Sequence, residues 1–144
     1  ETTEEILVYP AENIFIEDVT VVGSSGIGIL GKVGSNWTIQ NTTLYCGPNG
    51  FTGSCLSVES INDVTFSNNI VVGSHIWVPE NTAGAANCVW QITERRGSIN
   101  EQSADPRFTA VGTFDSFAGW DMRPLNASCA DKGSKLYQPP RVIN

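Results

Sequence analysis

Three stretches of the chain share one pattern of apolar and polar positions. They superimpose without gaps at residues 14–21, 37–44 and 64–71. In each stretch apolar and polar residues alternate, two polar residues then intervene, and the alternation resumes one position out of phase. Because a flat strand keeps a strict period of two, the slip predicts a sharp bend that leaves the same side of the chain facing inward. The bend falls on residue types that tolerate a left-handed backbone, namely Asp18, Asn41 and Asn68.

The three copies follow one another at intervals of 23 residues and then 27 residues. A shorter apolar segment comes after each copy, at residues 26–30, 55–59 and 88–93. Each period therefore predicts two strands that meet at a tight corner and a third strand after a looser loop. Strand-only periods of this length are typical of a solenoid, and an N-terminal strand is predicted at residues 6–9. A β-sandwich is the alternative, but the phase slip shared by all three copies favours the solenoid.

The segment Asn62-Asp-Val-Thr-Phe-Ser-Asn-Asn-Ile-Val-Val-Gly73 resembles the coil consensus of the right-handed parallel β-helix, or pectin-lyase-like, family. The tail is similar to the C-terminal segment of secreted members at residues 105–108, 121–124 and 127–133. The resemblance implies an all-β right-handed parallel β-helix of about three to four coils. It divides the chain into an N-terminal extended segment at 1–11, coils at 12–104 and a C-terminal capping tail at 105–144. The coil motif is degenerate, so it bears on the fold and transfers no activity.

The composition of the chain fits one small all-β domain. Its 144 residues are 40% hydrophobic and only 16% charged, whereas average soluble domains are about 25% charged. Fifteen acidic and eight basic residues give a net charge of −7. No basic cluster exceeds the pair Arg95-Arg96, which argues against a nucleic-acid partner held through phosphates. No apolar run approaches the roughly 18 residues of a membrane helix.

The four cysteines are expected to form two disulfides. In a chain whose tail is similar to that of secreted proteins, disulfides indicate an oxidising compartment, and hence an extracellular or cell-surface location. Cys46 and Cys55 flank a loop, which favours one bond across that loop and a second between Cys88 and Cys129 of the tail. Cys55 and Cys88 occupy similar positions in neighbouring coils, so a bond between these two is the alternative. With one histidine and no C-x-x-C motif, no metal site or cofactor is expected.

Three N-glycosylation sequons begin at Asn36, Asn41 and Asn126. Chance alone predicts about two sequons at this composition, so their number by itself carries no argument. The repeat places Asn36 and Asn41 outward or at a corner, where both can carry glycans.

Aromatic side chains are the other candidates for binding. Tyr45, Trp77 and Trp90 fall at predicted coil edges or loops, where a flat ring can stack on a sugar. Packing of the two tryptophans beneath the loop at 78–86 is the simpler alternative. Trp37 aligns with inward positions of the other repeats and is predicted to lie in the core.

No catalytic residues are assigned. Lyases and epimerases need a base with a cation beside it, and glycosidases need a carboxylate pair. His75 is the one near-neutral base and Glu94-Arg95-Arg96 the one charge cluster, but neither matches a motif of such a site. We expect His75 to be a loop side chain beside Trp77, and the arginines to neutralise Glu94 and the acidic surface. The net charge also opposes an acidic polysaccharide, although not a neutral one.

A short solenoid has two ends with unpaired backbone groups. The tail, with Phe108, Phe114, Phe117 and Trp120, is expected to fold over the C-terminal end. These features predict an extracellular, non-catalytic structural or adhesive subunit that self-associates through its open ends and stacks into filaments. Two alternatives stay open: the C-terminal part of a polysaccharide-active lyase, epimerase or glycosidase with its catalytic coils upstream, and a small module that binds a neutral polysaccharide.

Overall fold

The computed structural model describes residues 10–22, 28–46, 54–58, 60–112 and 119–137. Its elements are β1 (Ala11–Glu17), β2 (Thr20–Val22), β3 (Ile29–Leu30), β4 (Gly34–Gln40), β5 (Thr43–Tyr45), β6 (Ser54–Ser57), β7 (Ile61–Ser67), β8 (Ile70–Trp77), β9 (Ala83–Ala85), β10 (Asn87–Arg96), β11 (Glu101–Ser103), β12 (Phe108–Ala110), β13 (Asp121–Pro124) and a 3-10 turn (Ala127–Cys129). The predicted strand at 6–9 lies outside the described residues, as do Phe114 and Phe117 of the tail. Within the described ranges, no helix has the length and apolar character that crossing a bilayer requires.

The first eleven strands form a parallel β-solenoid of about three turns, which confirms the predicted fold class. The first sheet has the order β1-β4-β7-β9, and the second has the order β2-β5-β8-β10-β11. On a third face β3 pairs with β6, and β6 pairs with the later half of β8. All of these pairs are parallel. The antiparallel pair β12 and β13 belongs to the tail.

The predicted corners between the first and second sheets are confirmed. Asp18, Asn41 and Asn68 have φ values of 57°, 49° and 58°, which lie in the left-handed region. The same corner continues upward at Ala86 (φ 57°) and Asn100 (φ 48°), which the sequence pattern did not mark. The side chains also connect the coils, because Asn68 Nδ2 donates to Asn41 Oδ1. A short polar side chain that tolerates this backbone therefore recurs at four of these five corner positions, and Ala86 is the exception.

A second column of left-handed residues bends the first sheet and was not predicted. It consists of Asn13, Asn36 and Asp63, with φ values of 59°, 57° and 59°. Each lies five residues before a corner residue, so a fixed Asn or Asp spacing was the available signal. Asn36 Nδ2 donates to Asn13 Oδ1 at 2.8 Å, which links two coils along this column.

The solenoid interior is filled by stacked columns of apolar residues. One column runs through Ile16, Ile39 and Phe66 and passes Gly84 in β9. A Cβ on Gly84 would clash with the backbone of Ile99, so this position needs glycine. Strand β9 thus lies inside the stretch predicted as a loop at 78–86. The sequence pattern did not reveal this strand because its inward residue, Gly84, has no side chain. Trp37 is buried in this interior, as predicted.

Buried asparagines close the interior at the corner. Asn69 Oδ1 accepts from the Thr42 N–H at 2.9 Å, and its Nδ2 donates to the Ile39 carbonyl at 3.0 Å. One coil higher, Asn87 Nδ2 donates to the carbonyls of Phe66 and Ile99. These amides satisfy backbone groups that the corner removes from the sheet ladders, and unpaired buried groups are costly.

The described part of the tail lies along the side of the solenoid and not over its C-terminal end as predicted. Residues 129–137, which we term the tail strap, pass the corner of each coil in turn. Gly133 N–H donates to the Asn68 carbonyl at 2.8 Å, and Ser134 N–H donates to Thr43 Oγ1 at 3.0 Å. Lys135 N–H donates to Asp18 Oδ1 at 2.6 Å. The strap therefore connects the third, second and first coils, which begin with β7, β4 and β1.

Candidate functional site

The outer surface of the second sheet carries an apolar column that the tail covers. In register, this column runs through Val22, Tyr45, Val72 and Trp90. Phe108, Trp120 and Met122 of the tail pack on it and form a second hydrophobic cluster outside the solenoid. The Tyr45 ring meets those of Trp120 and Phe108 edge-on, with centroids 5.5 Å and 6.0 Å apart. The position of Tyr45 is thereby set by rings on two sides.

A groove of about 290 Å³ opens between this column and the tail. Its aromatic lining comes from Tyr45, Trp90 and Phe108, and its polar lining from Gln91, Asp105 and Arg107. The structure therefore brings together two of the three predicted sugar-stacking residues. Asp105, Arg107 and Phe108 were not predicted as partners of these rings, because the tail follows no repeat that would place it on a particular sheet.

The groove presents hydrogen-bonding groups beside its rings. Asp105 Oδ1 accepts from the Arg107 N–H at 2.9 Å, which fixes the orientation of this carboxylate. Burial, and to a smaller extent the charge of Asp105, raises the pKa of Tyr45 above its ordinary value. The Tyr45 hydroxyl therefore stays protonated at neutral pH.

Trp77 lies in a separate cluster on the third face. Its ring stacks on His75 with centroids 5.6 Å apart and planes 4° apart, and the Arg96 guanidinium lies 4.8 Å from its centre. His75 Nε2 lies 3.1 Å from Glu94 Oε2. Because His75 and Trp77 belong to β8, the expectation of a loop histidine was wrong, although its place beside Trp77 was right.

Arg95, one of the two arginines expected to neutralise Glu94 and the acidic surface, pairs with a different acidic residue. Arg95 forms an ion pair with Glu101, and Arg96 lies over Trp77. Glu94 faces His75 instead. The difference arises because neighbours along a strand point to opposite sides, whereas residues on adjacent strands meet.

The four cysteines form two disulfides, Cys46–Cys55 and Cys88–Cys129. This pairing is the one predicted from the sequence, and the alternative bond Cys55–Cys88 is not formed. The first bond closes a loop at the edge of the second coil. The second bond attaches the tail strap to β10 in the fourth coil.

The three sequons differ in their surroundings, and their glycosylation stays a prediction. Asn36 is exposed on the first sheet. Asn41 is half-buried at the corner, where its side chain contacts Asn68. Asn126 is half-buried at the start of the 3-10 turn, where its Nδ2 donates to the Asp105 carbonyl at 2.7 Å.

A larger hollow of about 510 Å³ lies beside the end of the tail strap, between Asp121, Arg123 and residues 135–137. The Arg123 guanidinium binds the Asp121 carboxylate and lowers its pKa. The Asp121 carboxylate and the Arg123 guanidinium in this hollow are therefore already paired with each other. In the described part of the chain, no three His, Cys, Asp or Glu residues come together as a metal site.

Comparisons with known proteins leave the family open. The chain is 26% identical over 133 residues to the DENN domain and WD repeat-containing protein SCD1 of Arabidopsis thaliana. That alignment covers 88% of this chain but 10% of the relative, so the chain spans about a tenth of the length of the protein it matches. No family model matches the sequence. No solved structure matches the fold.

Proposed function

We propose that this protein is a non-catalytic structural subunit that joins a second copy of itself through the N-terminal end of its solenoid. The observation that carries the proposal is the difference between the two ends of the stack. Among the described residues, one end leaves apolar interior positions partly uncovered, while at the other end the ion pair of Arg95 and Glu101 takes the last position of one interior column.

Among the described residues, the N-terminal end of the solenoid has strand edges with no further partner strand and apolar residues that are incompletely buried. Strands β1 and β2 are edge strands of the two sheets. Ile16 is partly exposed, whereas Ile39 and Phe66 above it are fully buried. Val19, at the corner of the first coil, is 37% exposed. Such an edge is a template for further strands.

In the described part of the chain, β1 and β2 each have a neighbouring strand on one side alone, which leaves the other side open to strands of a partner. A second copy carries the same free edges and the same apolar surface. Its addition would remove both from water.

The C-terminal end is built differently. On the third face an interior column runs through Ile29, Leu56 and Ile76, and Arg95 takes the next position. Arg95 forms an ion pair with Glu101, whose side chain is 10% exposed. An inward charge at the end of a stack opposes the addition of further strands, because addition would desolvate it.

The partly exposed apolar residues at the N-terminal end and the ion pair at the C-terminal end favour an assembly of two copies. A contact between two N-terminal ends uses the same surface on both partners, so it stops at a dimer, whereas a filament would need the C-terminal end as well. Two disulfides fit an extracellular setting for such a subunit. The exposed acids Glu12 and Glu17 lie on β1, so a second copy at this end brings like charges together and we expect salt to strengthen the contact.

The test is the mass of the protein in solution, measured by light scattering after size exclusion over a range of concentrations. We expect a concentration-dependent shift from 15.5 kDa toward twice that mass. Val19→Lys, at the N-terminal end, should hold the protein at the lower mass. Val111→Lys is the matched control, because Val111 is also exposed but belongs to the tail.

A protein that stays monomeric at every concentration would overturn self-association. The coil that covers the N-terminal end would then belong to the same longer polypeptide or to a different protein. Equal behaviour of the two lysine variants, with dimers retained in both, would place the contact elsewhere on the molecule.

A further inference from the structure

We propose that the groove between Trp90 and the tail binds a neutral sugar ring. This site lies on the side of the solenoid, so it is independent of association through the N-terminal end. Four properties of the groove support the assignment: its rings, its polar rim, its backbone and its charge.

The aromatic surfaces of the groove are held in place before any ligand arrives. Tyr45 is 7% exposed and is fixed by edge contacts with Trp120 and Phe108. Trp90 and Phe108 are each only partly buried, so both keep ring surface that faces solvent. An aromatic ring offers a flat apolar surface, which suits the C–H face of a sugar.

The rim adds the hydrogen-bonding groups that sugar hydroxyls need. Gln91, Asp105 and Arg107 are exposed and line the same groove. Together they supply carboxylate acceptors, an amide that both donates and accepts, and guanidinium donors. A few placed polar groups beside apolar walls are typical of small-molecule sites. At about 290 Å³ the groove matches the lower limit of such sites, about 300 Å³, so it suits a single ring.

Unusual backbone conformations occur on both sides of the rim. Ten residues other than glycine have positive φ in the described chain, and eight of them belong to the two left-handed columns of the solenoid. The remaining two are Gln91 (φ 59°) and Arg107 (φ 48°), both at the groove. In the coil below, Gly73 takes the register position of Gln91. A long side chain is thus retained where glycine would be unstrained, and such strain is concentrated at ligand sites.

The charges of the groove select a neutral ligand. Asp105 and Arg107 contribute one negative and one positive group to the rim. An anionic sugar would meet the Asp105 carboxylate within a protein of net charge −7, and a cation would meet the Arg107 guanidinium. A neutral ring meets neither repulsion and can use both groups as hydrogen-bond partners.

The experiment is a titration of the intact protein with cellotetraose, mannotetraose and tetragalacturonate, followed by calorimetry and by tryptophan fluorescence. We expect at least one neutral tetrasaccharide to bind, and tetragalacturonate to bind at least tenfold more weakly. Trp90→Ala should weaken binding at least tenfold. Trp77→Ala, which changes the other outer tryptophan, should leave the affinity within about twofold.

A second variant distinguishes a loss of binding from a folding defect in Trp90→Ala. Asp105→Asn changes an exposed residue and keeps an acceptor for the Arg107 N–H. We expect it to weaken binding at least fivefold, while Asp131→Asn, which changes an exposed carboxylate of the tail strap, has no effect. Val19→Lys should bind the sugar like the parent protein, so a failure of the dimer and a failure of the groove are distinguishable.

The proposal is overturned if neither neutral tetrasaccharide binds at about 10 mM, a concentration that detects dissociation constants in the millimolar range. It is also overturned if tetragalacturonate binds as well as the neutral sugars. Equal losses in Trp90→Ala and Trp77→Ala would likewise exclude the groove as the binding site.

Discussion

At the scale of single residues, the left-handed corner positions determine where the chain turns. Asp and Asn tolerate this conformation because their short polar side chains bond locally. Ala86 occupies the same corner in the fourth coil with φ 57° and is exposed. It has no side-chain group that compensates for the conformation. The corner column therefore contains one position that is not matched to its backbone.

Replacing this residue tests whether the corners contribute to stability. Ala86→Asn restores the residue type found at Asn68 and Asn100, and we expect the free energy of unfolding to rise by up to about 1 kcal/mol, the order of the left-handed penalty. Urea denaturation measures the change. Asn68→Ala is the opposite variant and should destabilise the protein. A loss of stability in Ala86→Asn would contradict the role assigned to the corner.

At the scale of elements, the tail strap links parts of the chain that are far apart in sequence. Ser134 Oγ donates to Asp18 Oδ1 at 3.0 Å across 116 positions. The strap is anchored at its start by Cys88–Cys129. Its other described contacts include hydrogen bonds along the corner and one from the Met122 N–H to the Tyr137 carbonyl. The disulfide is therefore expected to govern how often the whole tail detaches.

Removing each disulfide should give different results. A Cys88→Ser/Cys129→Ser variant opens a loop of 41 residues and should lose about 4 kcal/mol on the chain-entropy estimate. Cys46→Ser/Cys55→Ser opens a loop of 9 residues and should lose about 3 kcal/mol. Hydrogen exchange distinguishes them further, since only the first should speed exchange of the Gly133, Ser134 and Lys135 amides. Equal exchange in both variants would argue against the strap as a separate unit.

The contact between the tail and the second sheet should also depend on pH. Burial raises the pKa of Tyr45 above its ordinary value of 10.0, so the folded state disfavours the phenolate. The stability linked to this group is complete below pH 10 and decreases as the pH rises above it. Urea midpoints measured from about pH 8 to about pH 11 should therefore fall less steeply in Tyr45→Phe than in the parent protein. Parallel curves would show that Tyr45 does not control this dependence.

At the scale of the whole molecule, the two ends of the solenoid are chemically different. The first coil leaves Val19 partly uncovered, whereas the interior column of the third face finishes at Arg95 and its ion pair with Glu101. This difference is the reason to expect a dimer rather than the filament that the sequence alone suggested. Because of this difference, substitutions at one end should change the type of assembly.

Removing the closing charges should turn the dimer into a filament. In Arg95→Met/Glu101→Met both partners of the pair become apolar, so no unpaired charge stays buried. When both ends of the solenoid can add a further molecule, the assembly no longer stops at two copies. We therefore expect fibres in negatively stained micrographs. Arg95→Lys keeps a charge at this position and is the matched control. A double variant whose mass stays that of the parent would contradict the capping role.

The sequence by itself determined the features that depend on local preference and period. The phase slip and the short polar residues at 18, 41 and 68 sufficed for the corners, the parallel solenoid and the buried Trp37, because they act within a few residues. The tertiary structure alone decided what depends on contacts between distant segments. These include the path of the tail along the corner, β9 beneath Ile99, the meeting of Tyr45 and Trp90 with Asp105 and Arg107, and the partner of Arg95. No period marks such contacts, since each is set by where separate coils stack and not by neighbours along the chain.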